Sequence, residues 1–486
     1  MKIKLITLLL VLCSLSAAAQ KKSSTPQKEE MRAVWLTTNY RIDWPSKAYK
    51  NSNDINIQQE ELIDMLDKLK AANVNMVFLQ VRFQGTVIYN SQIEPISHYI
   101  AGVKNTWSKY DPLKFAVSEC HKRGIECHAW FVAYNAGAKE NMTETIYKNR
   151  NLLKSGEREY WFDPGLPETN AYLISLIKEL VKNYDIDGFH LDYIRYPAEG
   201  SDFGDEDTYR KYRKGGIRKD DWRRENINRF VSDVYDTIKI VKPWVQVSSA
   251  VVPYYKKLSA NRKHWTAYHD AYQDPEEWLK NGKMDFIVPM IYNKSDLFDS
   301  AVKDWMSRSQ GRYVVPGIGV YLLNEKEKGG NWSLKDISDQ IQFCQDNHTH
   351  GTGLFSAKHL MTNKKGLYNE LQNKHYNTPA LLPPMSWLSK VKPPAPGRPK
   401  AAKTGQYIYL NWDDIEAPDN NKYFYNVYRS ATSPVDTNNP ANLVDTRING
   451  SSLFIDASAR GYYYVVTTYD RYHNESMPSA EIYFKP

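Results

Sequence analysis

The sequence predicts an α/β protein, a (β/α)8 TIM barrel followed by a small all-β sandwich. Short β-rich apolar runs alternate with amphipathic helical runs along most of the chain, which is typical of parallel strands joined by helical crossovers. The last part, 401–486, instead contains short strand-like runs separated by turn residues. Eight strand candidates precede it, at 32–38, 76–82, 125–132, 186–193, 245–252, 284–292, 313–320 and 351–357.

The first 19 residues have the layout of a secretory signal peptide. Two lysines precede an apolar run from Leu5 to Leu15, and three alanines follow before Gln20. A signal peptide over 1–19 and a polar linker over 20–30 predict an exported protein, periplasmic or secreted. Cys13 lies inside the apolar run rather than after small residues, which argues against a lipoprotein anchor. The run is short for a membrane helix, so we expect no membrane span.

The amino-acid composition limits the classes of binding partner that we expect for this protein. The formal net charge is +8, but basic residues are scattered among acidic ones and no nucleic-acid reader motif occurs, so we expect no nucleic acid. Aromatic residues make up 13% of the chain, with 35 Tyr and 13 Trp. Sugars stack against such flat amphipathic rings, so this excess favours a polysaccharide partner.

The cysteines do not predict a disulfide framework. Cys120, Cys127 and Cys344 remain after the leader, an odd number, and we expect three buried thiols. A bridge between Cys120 and Cys127 is the alternative. The chain lacks metal-type ligand spacing, so we expect neither a metal nor another cofactor.

The barrel is predicted over 31–380. Leu62, Met65, Leu66 and Leu69 are spaced as one helical face between the first two strands. The loops after strands two, three and four are long, whereas the returns from helix to strand take only a few residues. Loop length is therefore concentrated at the strand C-termini, the functional face of such barrels.

The composition changes at 381–400 to a Pro-rich linker. The strand-like runs that follow include QYIYLNW and YFYNVYRS, with Trp412 as a plausible core residue. This segment, 401–486, resembles a fibronectin type III sandwich.

The strongest local motif is DGFHLDYIRYP at 187–197. Strand alternation turns His190 and Asp192 toward the barrel axis, so Asp192 emerges at the C-terminal end of the fourth strand. A carboxylate there can serve acid, base or nucleophilic chemistry at an anomeric carbon. The alternative is that Asp187 and Asp192 pair with Arg195 or cap a loop.

Neighbouring strands supply the other predicted cleft residues. Alternation directs Gln80 and Arg82 inward, where Arg82 could pair with Asp192, and Trp130 could form a stacking floor for a sugar ring. The remaining substrate-binding candidates are His128, Tyr134, Asn135, Arg195, Tyr196 and Tyr292.

A glycosidase usually needs a second carboxylate roughly 5–10 Å from the first. Glu94, in the loop after the second strand, is the first candidate for this catalytic role. Asp163 and Asp43 are the alternatives.

Several motifs, in the right order, resemble the glycosyl-hydrolase-like family 10 of bacteria. They are MRAVWLTTNYRIDWP, NMVFLQVRFQGTVIYNSQIEP, YDPLKFAVSECHKRGIECHAWF, WFDPG and DGFHLDYIRYP, and the likeness covers about residues 31–375. It implies a (β/α)8 barrel, export, and hydrolysis of envelope glycan strands, with peptidoglycan as the substrate class. The cleft residues it implies are Arg32, Trp35, Gln80, Arg82, His128, Trp130, Asp192 and Tyr196.

Two functions stay open beside this glycosidase hypothesis. Gln84 stands near a position where some relatives carry an acid, which favours a non-catalytic receptor for wall glycan. The third possibility is a hydrolase of dietary or host polysaccharide.

Overall fold

The computed structural model describes residues 26–102, 110–140, 143–156, 158–197, 203–258, 264–418 and 422–486. The predicted signal peptide, 1–19, and most of the 20–30 linker lie outside the described residues. Within the described ranges, no helix combines the length and apolarity needed to cross a membrane.

In this part of the chain, parallel strands close into an eight-stranded barrel, as the sequence predicts. They are β1 Met31–Leu36, β2 Met76–Phe83, β3 Glu126–Val132, β4 Gly188–Asp192, β5 Gln246–Val251, β6 Phe286–Pro289, β7 in two pieces at Tyr313–Val314 and Gly317–Ile318, and β8 Gly351–Leu354. Each strand pairs with the next, and β8 pairs with β1. The break in β7 falls at Pro316, which has no N–H for a continuous ladder. The first piece pairs with β6 and the second with β8, so the ring still closes.

Helices cover the outside of the barrel. They are α1 Ser52–Ala71, α2 Pro112–Lys122, α3 Pro167–Asn183, α4 Lys219–Val241, α5 Pro275–Lys280, α6 Ser295–Ser307, α7 Leu334–Asp346 and α8 Ala357–Met361. The predicted apolar face of α1 is buried, and α2 begins with Asp111 as N-cap and Pro112 in the first turn. Such caps satisfy backbone N–H groups that the first helical turn leaves free.

Apolar side chains form two layers, one inside the barrel and one between the strands and helices. Trp35, Phe78, Trp130 and Val288 belong to the inner layer. Leu79, Phe131 and Phe189 belong to the outer layer with the helical residues. Alternate strand residues therefore enter different layers, as period-2 geometry requires.

The long loops carry short elements at the C-terminal ends of the strands. After β3, a three-stranded antiparallel sheet is formed by Asn135–Ala138, Glu159–Phe162 and Leu153–Ser155. A short helix, Glu206–Tyr212, follows β4. We call this end of the barrel the mouth and the opposite end the floor.

The C-terminal part forms two antiparallel sheets. Its strands are β9 Lys400–Thr404, β10 Tyr407–Asn411, β11 Phe424–Ser430, β12 Leu443–Ile448, β13 Ser452–Asp456, β14 Tyr462–Tyr469 and β15 Ile482–Phe484. One sheet has the order β9-β10-β13 and the other β12-β11-β14-β15. Leu410 and Trp412 share one buried cluster with Val427 and Val466 from the other sheet, so the module is a sandwich. Its assignment to the fibronectin type III class stays a prediction, as do the predicted domain boundaries.

The Pro-rich segment 381–400 packs under the barrel instead of standing free. Leu382 and Met385 enter the inner apolar layer, and the Trp387 indole N–H donates to Asp285 at 2.8 Å. The connector thereby closes part of the floor.

A cluster of buried charges completes the floor. Arg447 of the sandwich lies 2.6 Å from Asp187 and 3.4 Å from Glu126, both at the start of barrel strands. His473 Nε2 lies 2.8 Å from Glu126. Burial alone would raise both carboxyl pKa values, but Arg447 with His473 at Glu126, and Arg447 with His121 at Asp187, hold them well below the ordinary range. Asp187 thus pairs with Arg447, not with Arg195.

Cys120, Cys127 and Cys344 are free and buried, in agreement with the favoured reading of the cysteine count.

Candidate active site

Asp192 ends β4 at the mouth and keeps 6% of its surface exposed. It pairs with Val132, whose side chain belongs to the inner layer, so Asp192 faces the barrel axis as alternation predicts. Its Oδ2 accepts a hydrogen bond from the Trp130 indole at 3.0 Å. Its Oδ1 accepts one from the Tyr193 backbone N–H at 2.7 Å. The carboxyl is therefore held in one orientation.

Burial raises the pKa of Asp192 above its ordinary value. The Tyr193 N–H, the Arg195 charge and the Trp130 N–H each favour the ionised form, but they offset the desolvation only in part. A carboxyl with a raised pKa keeps its proton up to a higher pH and can act as an acid.

Aromatic rings surround this carboxyl. Trp130 and Phe355 have ring centroids 6.4 Å apart, and Phe355 stacks on Tyr292 at 6.1 Å. Tyr321 meets Tyr292 at 5.6 Å, and Tyr193 packs against the same inner cluster. Tyr193, Tyr292, Phe355 and Tyr321 are half-buried, so part of each residue remains exposed. Sequence reasoning missed Phe355 and Tyr321, although Phe355 directly follows β8 and could have been found by its position at a strand end.

Arg195 lies on the rim of the mouth, half-buried among rings. Its guanidinium carbon is 4.6 Å from the Tyr193 ring centroid, 4.8 Å from that of Trp265 and 5.2 Å from that of Trp161. Cation–π contacts of this kind hold the charge in place. Arg195 is thus near Asp192, with its position set by aromatic neighbours.

Asn135 belongs to the same side of the mouth. Its Nδ2 donates to Glu159 Oε2 at 2.7 Å, and its Oδ1 accepts from the Gly137 N–H at 2.9 Å. Asn135 is buried and Glu159 half-buried. Sequence reasoning missed Glu159, because its link to Asn135 depends on a hairpin register that the residue pattern does not specify.

Arg82 and Glu94 are not brought to the mouth, which corrects two predicted placements. The β2–β3 register slips by one residue between Gln80 and Arg82, so Arg82 turns to the outer layer and stacks on Phe131 at 4.8 Å. Arg82 Nε and Nη2 donate to both Glu94 oxygens at 2.8 and 2.6 Å. Both side chains are fully buried, so this pair supports the loop and leaves Glu94 no access to a substrate.

Three other predicted residues lie below the mouth. Trp35 donates to His190 at 3.2 Å in the barrel centre, and His128 Nε2 lies 3.0 Å from Glu126 near the floor. Arg32 is at the floor, where Nε donates to Glu30 at 2.7 Å. All three are buried, so Trp35, His128 and Arg32 stabilise the inside of the barrel and do not line the cleft.

Three further predicted residues pack against the loops of the mouth and do not line it. They are Gln80, Tyr134 and Tyr196. Gln80 Oε1 accepts hydrogen bonds from two backbone N–H groups of the β1–α1 loop, at 3.1 and 2.8 Å. Tyr134 packs on Phe230 of α4 at 5.1 Å, and Tyr196 meets Tyr272 at 5.4 Å. These buried contacts position the loops and do not face a ligand.

The two alternative acids are also engaged in loop support. Asp43 accepts hydrogen bonds from the Thr37 and Lys358 N–H groups, both at 2.7 Å, and from Ser356 at 2.8 Å. Asp163 accepts from Thr208 at 2.7 Å and from the Gly165 N–H at 2.9 Å. Burial raises the pKa of both carboxyls despite these bonds. Both carboxyls are thus occupied by donors of the loops that they hold.

Within the described ranges, no group of three or more His, Cys, Asp or Glu side chains could hold a metal ion. The described groups at the mouth are a carboxyl and aromatic rings. A closed (β/α)8 barrel with an oriented carboxyl beside aromatic rings at its strand C-termini defines a barrel enzyme of the glycosidase class.

Comparison with known proteins agrees with this class. Residues 30–326 match the family described as "Glycosyl hydrolase-like 10", and the chain belongs to that family. It is 31% identical over 480 residues to the glycosyl hydrolase YngK of Bacillus subtilis (strain 168), covering 93% of this chain and 92% of YngK. It is 30% identical over 410 residues to the glycosyl hydrolase DigH of Escherichia coli (strain K12), covering 73% of this chain and 92% of DigH. The chain is a glycoside hydrolase.

Among solved structures, it is similar to the glycoside hydrolase domain of PgaB (BpsB) from Bordetella bronchiseptica. That likeness has 12% identity and a TM-score of 0.48, and covers 71% of this chain and 99% of the domain.

Proposed function

We propose that this glycoside hydrolase is exported and cleaves glycan strands of the bacterial envelope, with peptidoglycan as its substrate class. The observation that carries the proposal is the oriented Asp192 carboxyl beside the rings of Trp130, Tyr193 and Tyr292. Rings of this kind stack on sugars, and a carboxyl beside them meets the glycosidic bond. The leader-like residues 1–19 favour a substrate outside the cytoplasm.

Asp192 acts as the acid in this mechanism. Its raised pKa favours the protonated form, and the proton passes to the glycosidic oxygen as the bond from that oxygen to the anomeric carbon breaks. The carboxylate left behind keeps its hydrogen bonds from the Trp130 and Tyr193 N–H groups. Those donors stabilise the charge that forms on Asp192 during the step.

The test uses the protein from residue 20 onward, incubated with isolated peptidoglycan, chitin and soluble polysaccharides. Products are measured by mass spectrometry and by new reducing ends. We expect fragments from peptidoglycan. If only a soluble polysaccharide yields fragments, peptidoglycan is the wrong substrate class. If the protein binds peptidoglycan tightly but produces no new reducing ends, it is a receptor for wall glycan and not an enzyme.

Export is tested in the source bacterium by cell fractionation of the full chain. We expect the processed protein outside the cytoplasm. Retention of an unprocessed chain in the cytoplasm would contradict this part of the proposal.

A further inference from the structure

We infer that Glu159 is the second catalytic carboxylate, the base that activates water opposite Asp192. This inference rests on the proposed function, because it assigns a role in the same hydrolysis. It replaces Glu94, which the ion pair with Arg82 removes from the mouth.

Glu159 is tied to the segment that leaves β3 beside Asp192. Past β3, Ala133 N donates to Asp192 O at 2.9 Å and Tyr134 N to Tyr193 O at 3.4 Å, so this segment stays next to the end of β4. The backbone bends at Tyr134, and Asn135 follows, three residues beyond the partner of Asp192. Asn135 donates to the Glu159 carboxylate at 2.7 Å, which holds Glu159 against this segment at the mouth.

The strand that carries Glu159 sets the direction of its side chain. Glu159 and Trp161 are two residues apart on one strand, so they lie on the same face. The Trp161 ring is 5.8 Å from the Tyr193 ring, and the Arg195 guanidinium lies 5.2 Å from the Trp161 ring. That face is therefore turned toward the mouth.

The Tyr193 phenol lies near both carboxylates. Burial raises the pKa of its phenol, and the negative charges of Asp192 and Glu159 raise it further against the opposing charge of Arg195. Both carboxylates are thus close enough to Tyr193 to act on it.

Glu159 differs from the other candidate acids in the described part of the chain. Glu94, Asp163 and Asp43 are tied to loop-supporting donors, and Glu94 and Asp163 have almost no exposed surface. Glu159 is half-buried and its described hydrogen bond comes from the neutral amide of Asn135. Such a carboxylate can accept a proton from water without leaving a buried cation unpaired.

The step balances as one hydrolysis. Glu159 takes a proton from water while the water oxygen bonds to the anomeric carbon. The bond from that carbon to the glycosidic oxygen breaks, and the oxygen takes the proton of Asp192. Solvent then returns a proton to Asp192 and removes one from Glu159, which restores the enzyme.

The experiment measures kcat, KM and pH profiles for Glu159→Gln and Glu159→Asp on the substrate that the wild type cleaves. The matched control is Glu144→Gln, an exposed acid of the same loop that pairs with Lys148. We expect Glu159→Gln to lower kcat about 10²–10⁴-fold with little change in KM, and to abolish the acidic limb of the profile. Glu159→Asp should keep that limb with reduced kcat, and Glu144→Gln should match the wild type.

Thermal unfolding of each variant separates chemistry from folding, since Gln can still accept the Asn135 hydrogen bond. Wild-type kcat in a folded Glu159→Gln variant overturns the inference. A reduced kcat that keeps the acidic limb also overturns it, because Glu159 would then only position other groups. In both cases cleavage by the wild type leaves the proposed function standing, whereas a wild type that cleaves no glycan overturns both.

Discussion

The two ends of the barrel shift the pKa of a buried carboxyl in opposite directions. At the floor, Glu126 is 1% exposed and lies 2.8 Å from His473 and 3.4 Å from Arg447, so its pKa is held well below the ordinary range. At the mouth, burial raises the pKa of Asp192, whose described hydrogen bonds come from the neutral Trp130 and Tyr193 donors. Desolvation acts the same way on both, and the nearby charges decide which protonation state is favoured.

The C-terminal sandwich supplies the basic side chains that face the floor carboxyls. Arg447 and His473 belong to it, while Glu126 and Asp187 belong to barrel strands. The module therefore stabilises the end of the barrel where no chemistry is proposed. At the mouth, the described donors to the Asp192 carboxyl are neutral.

The largest expected effect comes from removing the mouth carboxyl. Asp192→Asn cannot donate the proton to the glycosidic oxygen, and we expect kcat to fall about 10⁴-fold. Product release is measured by mass spectrometry, and circular dichroism checks the fold. A folded Asp192→Asn variant with normal activity would contradict the role of the mouth.

At the floor, the expected effect is on stability. Arg447→Met leaves Glu126 and Asp187 buried without their shared cation, and we expect a loss of about 3–5 kcal/mol in the free energy of unfolding. Denaturant unfolding followed by tryptophan fluorescence measures it. The matched control is Lys70→Ala, which breaks a more exposed pair with Asp445 across the same interface and should cost about 0–1 kcal/mol. Equal losses of stability in the two variants would show that the buried charges at the floor contribute no more than an exposed ion pair.

The smallest effect tests how the mouth tunes Asp192. The Trp130 N–H lowers the pKa of this carboxyl, so Trp130→Phe should raise it further. The acid must be protonated, and activity is lost as pH rises through its pKa, so the basic limb of kcat/KM should move upward by about one pH unit or less. The control Trp35→Phe removes an indole that bonds to His190 instead and should leave the limb in place. A downward movement of the limb in Trp130→Phe would show that Asp192 does not set it.

The fold could be predicted because the spacing of apolar residues along short segments distinguishes strands from helices. Eight apolar runs separated by helical faces specify the barrel, and alternation through His190 and Asp192 specifies which side chains face the axis. The same rule fails at Arg82, because the register slip after Gln80 turns the side chain to the other face.

By itself, the sequence determined the barrel, the following β module and the position of Asp192 at a strand end, since each depends on patterns a few residues long. The tertiary structure alone decided which acids were available there. Glu94 and Arg82 close on each other, Glu159 reaches Asn135 through a hairpin, and Arg447 meets Asp187 from 260 positions away in the chain. Contacts of that kind depend on how distant segments pack, and the charge and exposure of each carboxyl follow from them.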